Sequence, residues 1–260
     1  MLNSNDFQYE PYKDTRVINR PGFTVGRSGP LLLATSKTTG KKYIVKHTYP
    51  HNAANEYVAS WLANKLGAPC AAAFLLSENG AFNSPYAVAI EYIDGLFGFA
   101  KDNIPEILQG DLIKHFTLCL VLHLDDMIQL SRTEDHIFSY DFSEAFGMVG
   151  MDYILNEPDE DRRADLIIPI LNEYRRSIQR ETFDVPGLAA EFHLDRDQLK
   201  RGMASTIKNT LTFSENDISA MSDELMEMYP ASIAVFYEEC IRAIQNRAKQ
   251  LLQLRDFDYE

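Results

Sequence analysis

The sequence predicts an α+β fold of two lobes, in which a strand-rich N-terminal lobe holding one helix is followed by a helical C-terminal lobe. Between residues 22 and 95, short apolar and β-branched runs alternate with Gly-containing turns around a single helical stretch. After Gly95, apolar residues recur at helical spacing almost to the end of the chain. We therefore expect an N-terminal arm at residues 1–21, an N-lobe at 22–95 and a C-lobe at 96–260.

The N-lobe elements follow from local patterns. The runs "GPLLLATS" and "KKYIVKHTY" predict two strands joined by a turn at Gly40. The stretch "NAANEYVASWLANKLGAP" changes to helical spacing, and Gly67 with Pro69 predicts where that helix ends. The runs "AAAFLLS" and "YAVAIEYI", on either side of a turn at Gly80, predict two further strands.

The C-lobe begins with a strongly apolar run, "GDLIKHFTLCLVLHL", which predicts a buried central helix. The run "HIFSYDF" predicts a short strand. Five later segments have apolar residues at helical spacing, and the last, beginning "PASIAVFYEEC", is the longest. The lobe is therefore expected to be helical around one short strand-bearing hairpin.

Composition and charge exclude several classes of protein. With 25 Lys and Arg against 38 Asp and Glu, the formal net charge of −13 argues against binding to nucleic acid. No run approaches the roughly 18 apolar residues of a membrane span, so no membrane partner is expected. The three cysteines lie far apart without metal-ligand spacing, which favours free thiols in a cytoplasmic protein.

A Lys at the end of a strand and a Glu in the following helix form the first candidate site. Lys46 ends "KYIVK" and Glu56 lies at the start of the predicted helix. A helix Glu that pairs with a strand Lys would aim the ammonium at the α and β phosphates of ATP. The alternative is a solvated Lys beside a Glu favoured by the helix dipole.

Two backbone segments could complete a nucleotide site. Gly26, Ser28 and Gly29 in "VGRSGP" could bring backbone N–H groups and a hydroxyl to phosphates, although a plain turn would give the same pattern. The strand that leads to the junction of the lobes ends with Glu91, Tyr92 and Ile93. In protein kinases, the backbone at this position binds the adenine edge of ATP. A strand that simply ends at Asp-Gly is the alternative there.

Two acidic positions carry the strongest signal. A kinase catalytic loop supplies an Asp that orients the acceptor hydroxyl, and a later Asp-Phe-Gly supplies the Asp that binds Mg²⁺. Here "HLD" contains Asp125, and "YDFSEAF" contains Asp141 followed by Phe142. The residues between them are expected to form a hairpin that brings the two together. The alternative for Asp125 and Asp126 is an exposed loop pair.

One part of that pattern is missing. Five positions after Asp125 the kinase pattern requires an Asn for a second metal, and this chain has Leu130. Leu cannot ligate a hard cation. Gln129 and Glu144 are the nearby oxygen donors that could substitute for it, or the site uses one metal.

The segments "YIVK", "NEYVASWLANKLGAP", "VAIEYIDG" and "YDFSEAF", in this order, resemble the HipA-like kinases, which are small bacterial and phage-related relatives of the HipA toxin kinase. The resemblance covers roughly residues 22–150. It implies a two-lobed protein-kinase-like fold, ATP and Mg²⁺ as cofactors, and phosphorylation of a Ser or Thr hydroxyl of a protein. Aligning that family's catalytic loop on Asp125 again places Leu130 where the family has Asn.

Three functions are therefore considered. The first is an ATP- and Mg²⁺-dependent protein kinase that uses Lys46, Glu56, Asp125 and Asp141. The second is a pseudokinase that binds nucleotide or a protein partner without efficient transfer, a hypothesis motivated by Leu130. The third is a small-molecule kinase on the same scaffold.

Overall fold

The structure is a computed structural model of the 260-residue chain. It describes residues 1–12, 31–47, 49–77, 85–100, 104–122, 129–147, 151–180 and 184–253.

Within these residues, the N-lobe is built on a six-stranded sheet with strand order β1-β5-β6-β4-β3-β2. All neighbouring strands are antiparallel except β1 and β5. The β3–β4 turn contains Gly40 at a φ of 68°, a left-handed conformation that favours glycine, so the predicted hairpin is confirmed. The strands are β1 (Leu2–Asn3), β2 (Phe7–Pro11), β3 (Leu32–Ser36), β4 (Lys42–Lys46), β5 (Ala73–Ser77) and β6 (Val88–Glu91).

The first twelve residues do not form the expected arm. β1 pairs with β5 at one edge of the sheet, and β2 pairs with β3 at the other. Phe7 is buried and stacks edge-on against Tyr43, with 5.5 Å between the ring centroids. The aromatic residues that we interpreted as part of a polar arm therefore cover an apolar face of the sheet. This part of the prediction was wrong.

The N-lobe helix, α1 (Pro50–Leu66), is buried on nearly all sides. It begins with a Pro in its first turn and ends at Gly67, whose φ of 73° is the left-handed conformation of a helix C-cap. The N–H of Ala68 then donates to the carbonyl of Ala63 at 2.9 Å, which completes the cap. The predicted helix and its end are confirmed.

The C-lobe combines helices with a small three-stranded sheet of order β7-β8-β9. The predicted strand "HIFSYDF" is confirmed as β9, whereas β7 was not predicted. The strands are β7 (Phe97–Gly98), β8 (Gln129–Arg132) and β9 (Ile137–Tyr140). The helices are α2 (Glu106–Leu122), α3 (Met151–Leu155), α4 (Glu160–Arg180), α5 (Val185–Glu191), α6 (Arg196–Thr210), α7 (Glu215–Met226) and α8 (Ala231–Gln253).

The β8–β9 hairpin is fixed on the central helix α2 by polar contacts of two buried α2 side chains, His115 and Asp111. The ring Nε2 of His115 lies 2.7 Å from the carbonyl oxygen of Ile137. Asp111, also on α2, accepts hydrogen bonds from the Nδ1 of His136 at 3.0 Å and from the N–H of Ile137 at 3.4 Å. These contacts set the position of β9, and therefore of the residue that follows it, Asp141.

The largest apolar core cluster joins both lobes, because α1 contributes to it together with α2, α4 and α8. Leu62 of α1, Leu118 of α2 and Phe236 of α8 are all fully buried in it. The α+β class with a strand-rich N-lobe and a helical C-lobe is confirmed. In the part of the chain that the structure describes, no helix combines the length and the apolar character that crossing a membrane requires.

Candidate functional site

The site is centred on a contact among three charged side chains from different parts of the chain. Lys46 ends β4, Glu56 lies on α1, and Asp141 follows β9. The Nζ of Lys46 contacts Oε1 of Glu56 and lies 2.7 Å from Oδ1 of Asp141. The structure thus brings the nominated pair of Lys46 and Glu56 together with Asp141, which the sequence nominated separately.

Burial makes these charges depend on one another. The side chains of Lys46 and Glu56 are 11% and 2% exposed, whereas that of Asp141 is 35% exposed. Burial alone would lower the pKa of Lys46, but the carboxylates of Glu56 and Asp141 outweigh it and raise that pKa. Burial would also raise the pKa of Asp141, but Lys46 and the hydroxyl of Ser143 hold it below its usual value. For Glu56, burial dominates and raises the pKa.

The backbone around Asp141 has an unusual conformation that orients its carboxylate. Asp141 has a φ of 68°, in the left-handed region that few residues other than Gly adopt, although Asp tolerates it better than most. The hydroxyl of Ser143 donates to Oδ1 of Asp141 at 3.0 Å. The N–H of Ala145 donates to the carbonyl of Phe142 at 3.0 Å, and the Phe142 ring is buried in the largest apolar core cluster. The backbone N–H of Phe142 lies close enough to the carboxylate of Glu56 to oppose the rise of that residue's pKa. This turn is therefore held at its carboxylate, its backbone and its apolar side chain.

Sequence reasoning missed two residues that support this turn. Nδ2 of Asn55, which is fully buried, donates to the carbonyl oxygen of Ser143 at 2.7 Å. The hydroxyl of Tyr237 on α8 donates to Oδ1 of Asn55 at 2.7 Å. The position of Asn55 next to Glu56 was a possible signal. An Asn near the start of a predicted helix is, however, also explained as a helix cap.

The expected adenine-binding segment begins at the end of β6, a strand that lies between β5 and β4 in the six-stranded sheet. The N–H of Glu91 donates to the carbonyl of Ala72 at 2.8 Å, and the N–H of Tyr92 donates to that of Lys42 at 3.0 Å. These two donors therefore already bond within the sheet. Binding of adenine at Glu91, Tyr92 and Ile93 stays a prediction, and of these three, Ile93 is the residue whose N–H we would test first.

Several nominated residues fall outside the described part of the chain. Asp125, the expected residue for orienting the hydroxyl, is one of them. The expected phosphate-binding residues Gly26, Ser28 and Gly29 are the others. Their roles stay predictions.

The β8–β9 hairpin places the other nominated residues. Gln129 pairs with Tyr140, the residue immediately before Asp141. Leu130 pairs with Ser139 and packs against the apolar cluster formed by α2, α5 and α6. Glu144 is exposed and lies near His51. Burial lowers the pKa of His51, and the charge of Glu144 partly opposes that shift.

The donor chemistry of the site suits one hard cation shared with a phosphate ligand. Asp141 could supply a partly exposed carboxylate, and Mg²⁺ commonly uses one or two carboxylates together with phosphate oxygens and water. Across the described ranges, no group of three or more His, Cys, Asp or Glu side chains is arranged to hold a metal ion by itself.

Comparison with known proteins gives a limited result. No protein-family model and no curated protein matches the sequence. Among solved structures, the chain is similar to the Helicobacter pylori proinflammatory kinase CtkA, with 16% identity over 89% of this chain and 96% of that chain and a TM-score of 0.47. A likeness at this level carries no argument about function.

Proposed function

We propose that this chain is an ATP- and Mg²⁺-dependent kinase that transfers the γ-phosphoryl group to a hydroxyl, with a Ser or Thr of a protein as the acceptor. The observation that carries the proposal is the position of Lys46, whose ammonium contacts both Glu56 and Asp141. A kinase needs a fixed cation that binds the phosphates and, beside it, a carboxylate that holds the phosphate-bound metal ion.

The environment of Lys46 supports its proposed role. A flexible Lys in water would sample many positions, but this one is buried against the carboxylate of Glu56 and keeps its charge. Lys46 would bind the α and β phosphates, and Asp141 would ligate Mg²⁺. The ion would neutralise charge on the β and γ phosphates.

The hairpin supports the proposed role of Asp125. Gln129 lies four positions after Asp125 (129 − 125 = 4) and is paired with Tyr140, next to Asp141. A short chain segment therefore separates Asp125 from the strand that borders the metal-binding carboxylate. Asp125 would orient the acceptor hydroxyl, as the Asp of a kinase catalytic loop does.

The other nominated residues complete the proposed site. Gly26, Ser28 and Gly29 would bind phosphates, and Glu91, Tyr92 and Ile93 would contact adenine. We propose a HipA-like kinase of a bacterial cytoplasm that acts on a protein, because the acidic chain disfavours nucleic acid and anionic membranes as partners.

A pseudokinase is the second candidate, and a specific observation favours it. Leu130 packs against an apolar cluster, so position 130 supplies no metal ligand. Gln129 or Glu144 would have to supply the second oxygen donor, or transfer would proceed with one ion. Nucleotide binding without efficient transfer would result if neither is sufficient.

The first experiment measures nucleotide binding by thermal stabilisation. ATP with Mg²⁺ should raise the melting temperature of the wild type, because a ligand that binds only the native state stabilises it. Asp141→Ala should lose this shift. Asp135→Ala is the matched control, since Asp135 is exposed at the turn of the same hairpin and should leave the shift intact. No shift in the wild type would contradict nucleotide binding.

The second experiment separates the two candidates. Purified protein is incubated with γ-labelled ATP and Mg²⁺, and label on protein and released phosphate are both measured. A kinase should give label that disappears in Asp125→Ala and Asp141→Ala but persists in Asp135→Ala. ATP binding with no label and no phosphate release would favour the pseudokinase.

A further inference from the structure

A buried chain of hydrogen bonds connects the last long helix of the C-lobe to the Asp141 turn through α1. The hydroxyl of Tyr237 donates to Oδ1 of Asn55, and Nδ2 of Asn55 donates to the carbonyl of Ser143. Tyr237 and Asn55 are both fully buried. A buried Asn can satisfy both ends of its amide here in only one orientation, so the tyrosine hydroxyl sets the direction in which the amide N–H₂ points.

Two other contacts link the same turn to the charged site. The hydroxyl of Ser143 donates to Asp141, and the backbone N–H of Phe142 lies close enough to Glu56 to oppose the rise of that residue's pKa. Asn55 thus holds the third residue of a turn whose first residue carries the metal-binding carboxylate. Because Asp141 has a φ of 68°, the surrounding bonds must hold this turn in place.

Neighbouring contacts explain why α1 itself is a stable platform. The hydroxyl of Tyr229 donates to the carbonyl of Pro50 at 2.8 Å, at the first turn of the helix. The hydroxyl of Tyr57 donates to Glu224 at 2.7 Å, and Nδ2 of Asn209 donates to the carbonyl of Leu66 at 3.3 Å. The helix is therefore anchored to the C-lobe at both ends and in the middle, independently of the Tyr237–Asn55 bond.

From these contacts we propose that Tyr237 and Asn55 are positioning residues that hold the Asp141 turn in its metal-binding conformation. The inference rests on the proposed function in so far as it concerns Mg²⁺ and ATP. Neither residue touches the reacting groups. Tyr237 acts on Asn55, and Asn55 acts on the backbone of Ser143.

Removal of one hydroxyl tests the proposal with little change in volume. Tyr237→Phe leaves the ring in the core but deprives Oδ1 of Asn55 of its donor. Tyr174→Phe is the first matched control, because Tyr174 is buried in the same core and its hydroxyl donates to the carbonyl of Val121 at 3.0 Å. Tyr229→Phe is the second, because it removes an anchor of α1 without touching Asn55.

The first measurement is amide hydrogen exchange, which needs no ligand. Ala145 is the reporter, since its N–H donates to the carbonyl of Phe142 within the turn at 3.0 Å. In Tyr237→Phe, exchange at Ala145 should rise about tenfold relative to amides inside α8, as expected for loss of one buried hydrogen bond. The two control variants should not change this ratio. An unchanged ratio in Tyr237→Phe overturns the proposal.

The second measurement is the Mg²⁺ concentration that gives half of the maximal thermal stabilisation at a fixed ATP concentration. It should rise about tenfold in Tyr237→Phe and stay unchanged in both controls. A purely structural role would lower the melting temperature in all three variants alike without moving this concentration, which would also overturn the proposal.

The two measurements can contradict the proposed function and the positioning role independently of each other. If ATP and Mg²⁺ do not stabilise the wild type, the proposed function fails, and the exchange result still decides whether Tyr237 and Asn55 hold the turn. Should Tyr237→Phe not fold, Asn55→Ser takes its place, because a Ser hydroxyl is too short to bridge Tyr237 and Ser143. The expected and contradicting outcomes are the same for that variant.

Discussion

The ammonium of Lys46 lies 2.7 Å from Oδ1 of Asp141, although 95 residues separate the two in the chain. It also contacts Glu56, whose side chain is only 2% exposed. Removing the Lys would leave a buried carboxylate without its counter-charge, a situation that costs far more than the loss of a surface ion pair.

Lys46→Met should therefore lower the free energy of unfolding by about 3 kcal/mol, because Glu56 stays buried without a cation. Lys41→Met is the matched control, since Lys41 pairs with Glu91 at 2.8 Å on the surface and should cost less than about 1 kcal/mol. Urea denaturation at neutral pH measures both values. Adding Glu56→Gln to Lys46→Met should recover part of the loss, and a double variant less stable than the single one would contradict this explanation.

His115 gives the chain a pH dependence that can be measured without any ligand. Burial, opposed by the bond to the Ile137 carbonyl and the charge of Asp111, lowers the pKa of His115 from 6.5 to about 4. Between these values the unfolded state binds a proton that the native state does not, so His115 makes stability decrease as pH falls from about 6.5 to about 4. The full contribution is about 3 kcal/mol.

His115→Gln should reduce this pH dependence, because Gln can still reach the Ile137 carbonyl but does not titrate. His193→Gln is the control, since His193 is exposed. Unfolding free energies at pH 7, 5.5 and 4.5 check the prediction. If wild type and His115→Gln lose stability equally over this range, the buried neutral His is not the cause.

Leu130→Asn tests whether position 130 is a metal position or a packing position. Because Leu130 packs against the cluster of α2, α5 and α6, an Asn there should cost about 1–3 kcal/mol of stability. Ile107→Asn is the control, since Ile107 on α2 is 70% exposed and should cost less than about 0.5 kcal/mol. A stable Leu130→Asn protein with faster phosphoryl transfer would instead favour the metal position that the kinase pattern implies.

Gly67 and Gly110 should respond in opposite directions to the same substitution. Gly67→Ala should destabilise by about 1 kcal/mol, because Gly67 caps α1 at a φ of 73°. Gly110→Ala should stabilise by about 0.5–1 kcal/mol, since Gly110 lies exposed within α2 and an added Cβ meets open space. Thermal unfolding of both variants measures the difference. Equal effects would contradict the assigned backbone roles.

Local sequence patterns were sufficient to predict elements whose signals lie within the element itself. The β3–β4 hairpin, α1 with its Gly67 cap, and β9 were all predicted, since strand alternation, helical spacing and turn residues act within a few residues of one another. Patterns were insufficient for β1, β2 and β7. These strands exist because an open sheet edge or a neighbouring strand is available to pair with them, which depends on distant parts of the chain.

For the site, the sequence by itself determined that Lys46, Glu56 and Asp141 follow one another in the order of the corresponding kinase residues. Each was nominated from its place in a strand, a helix or a loop. Only the tertiary structure decided that these three side chains touch, and that Asn55 and Tyr237, 182 residues apart, support them. The reason is physical. Local spacing fixes an element and the face on which a side chain lies, but a buried polar group takes its partner from whatever element the fold packs against it.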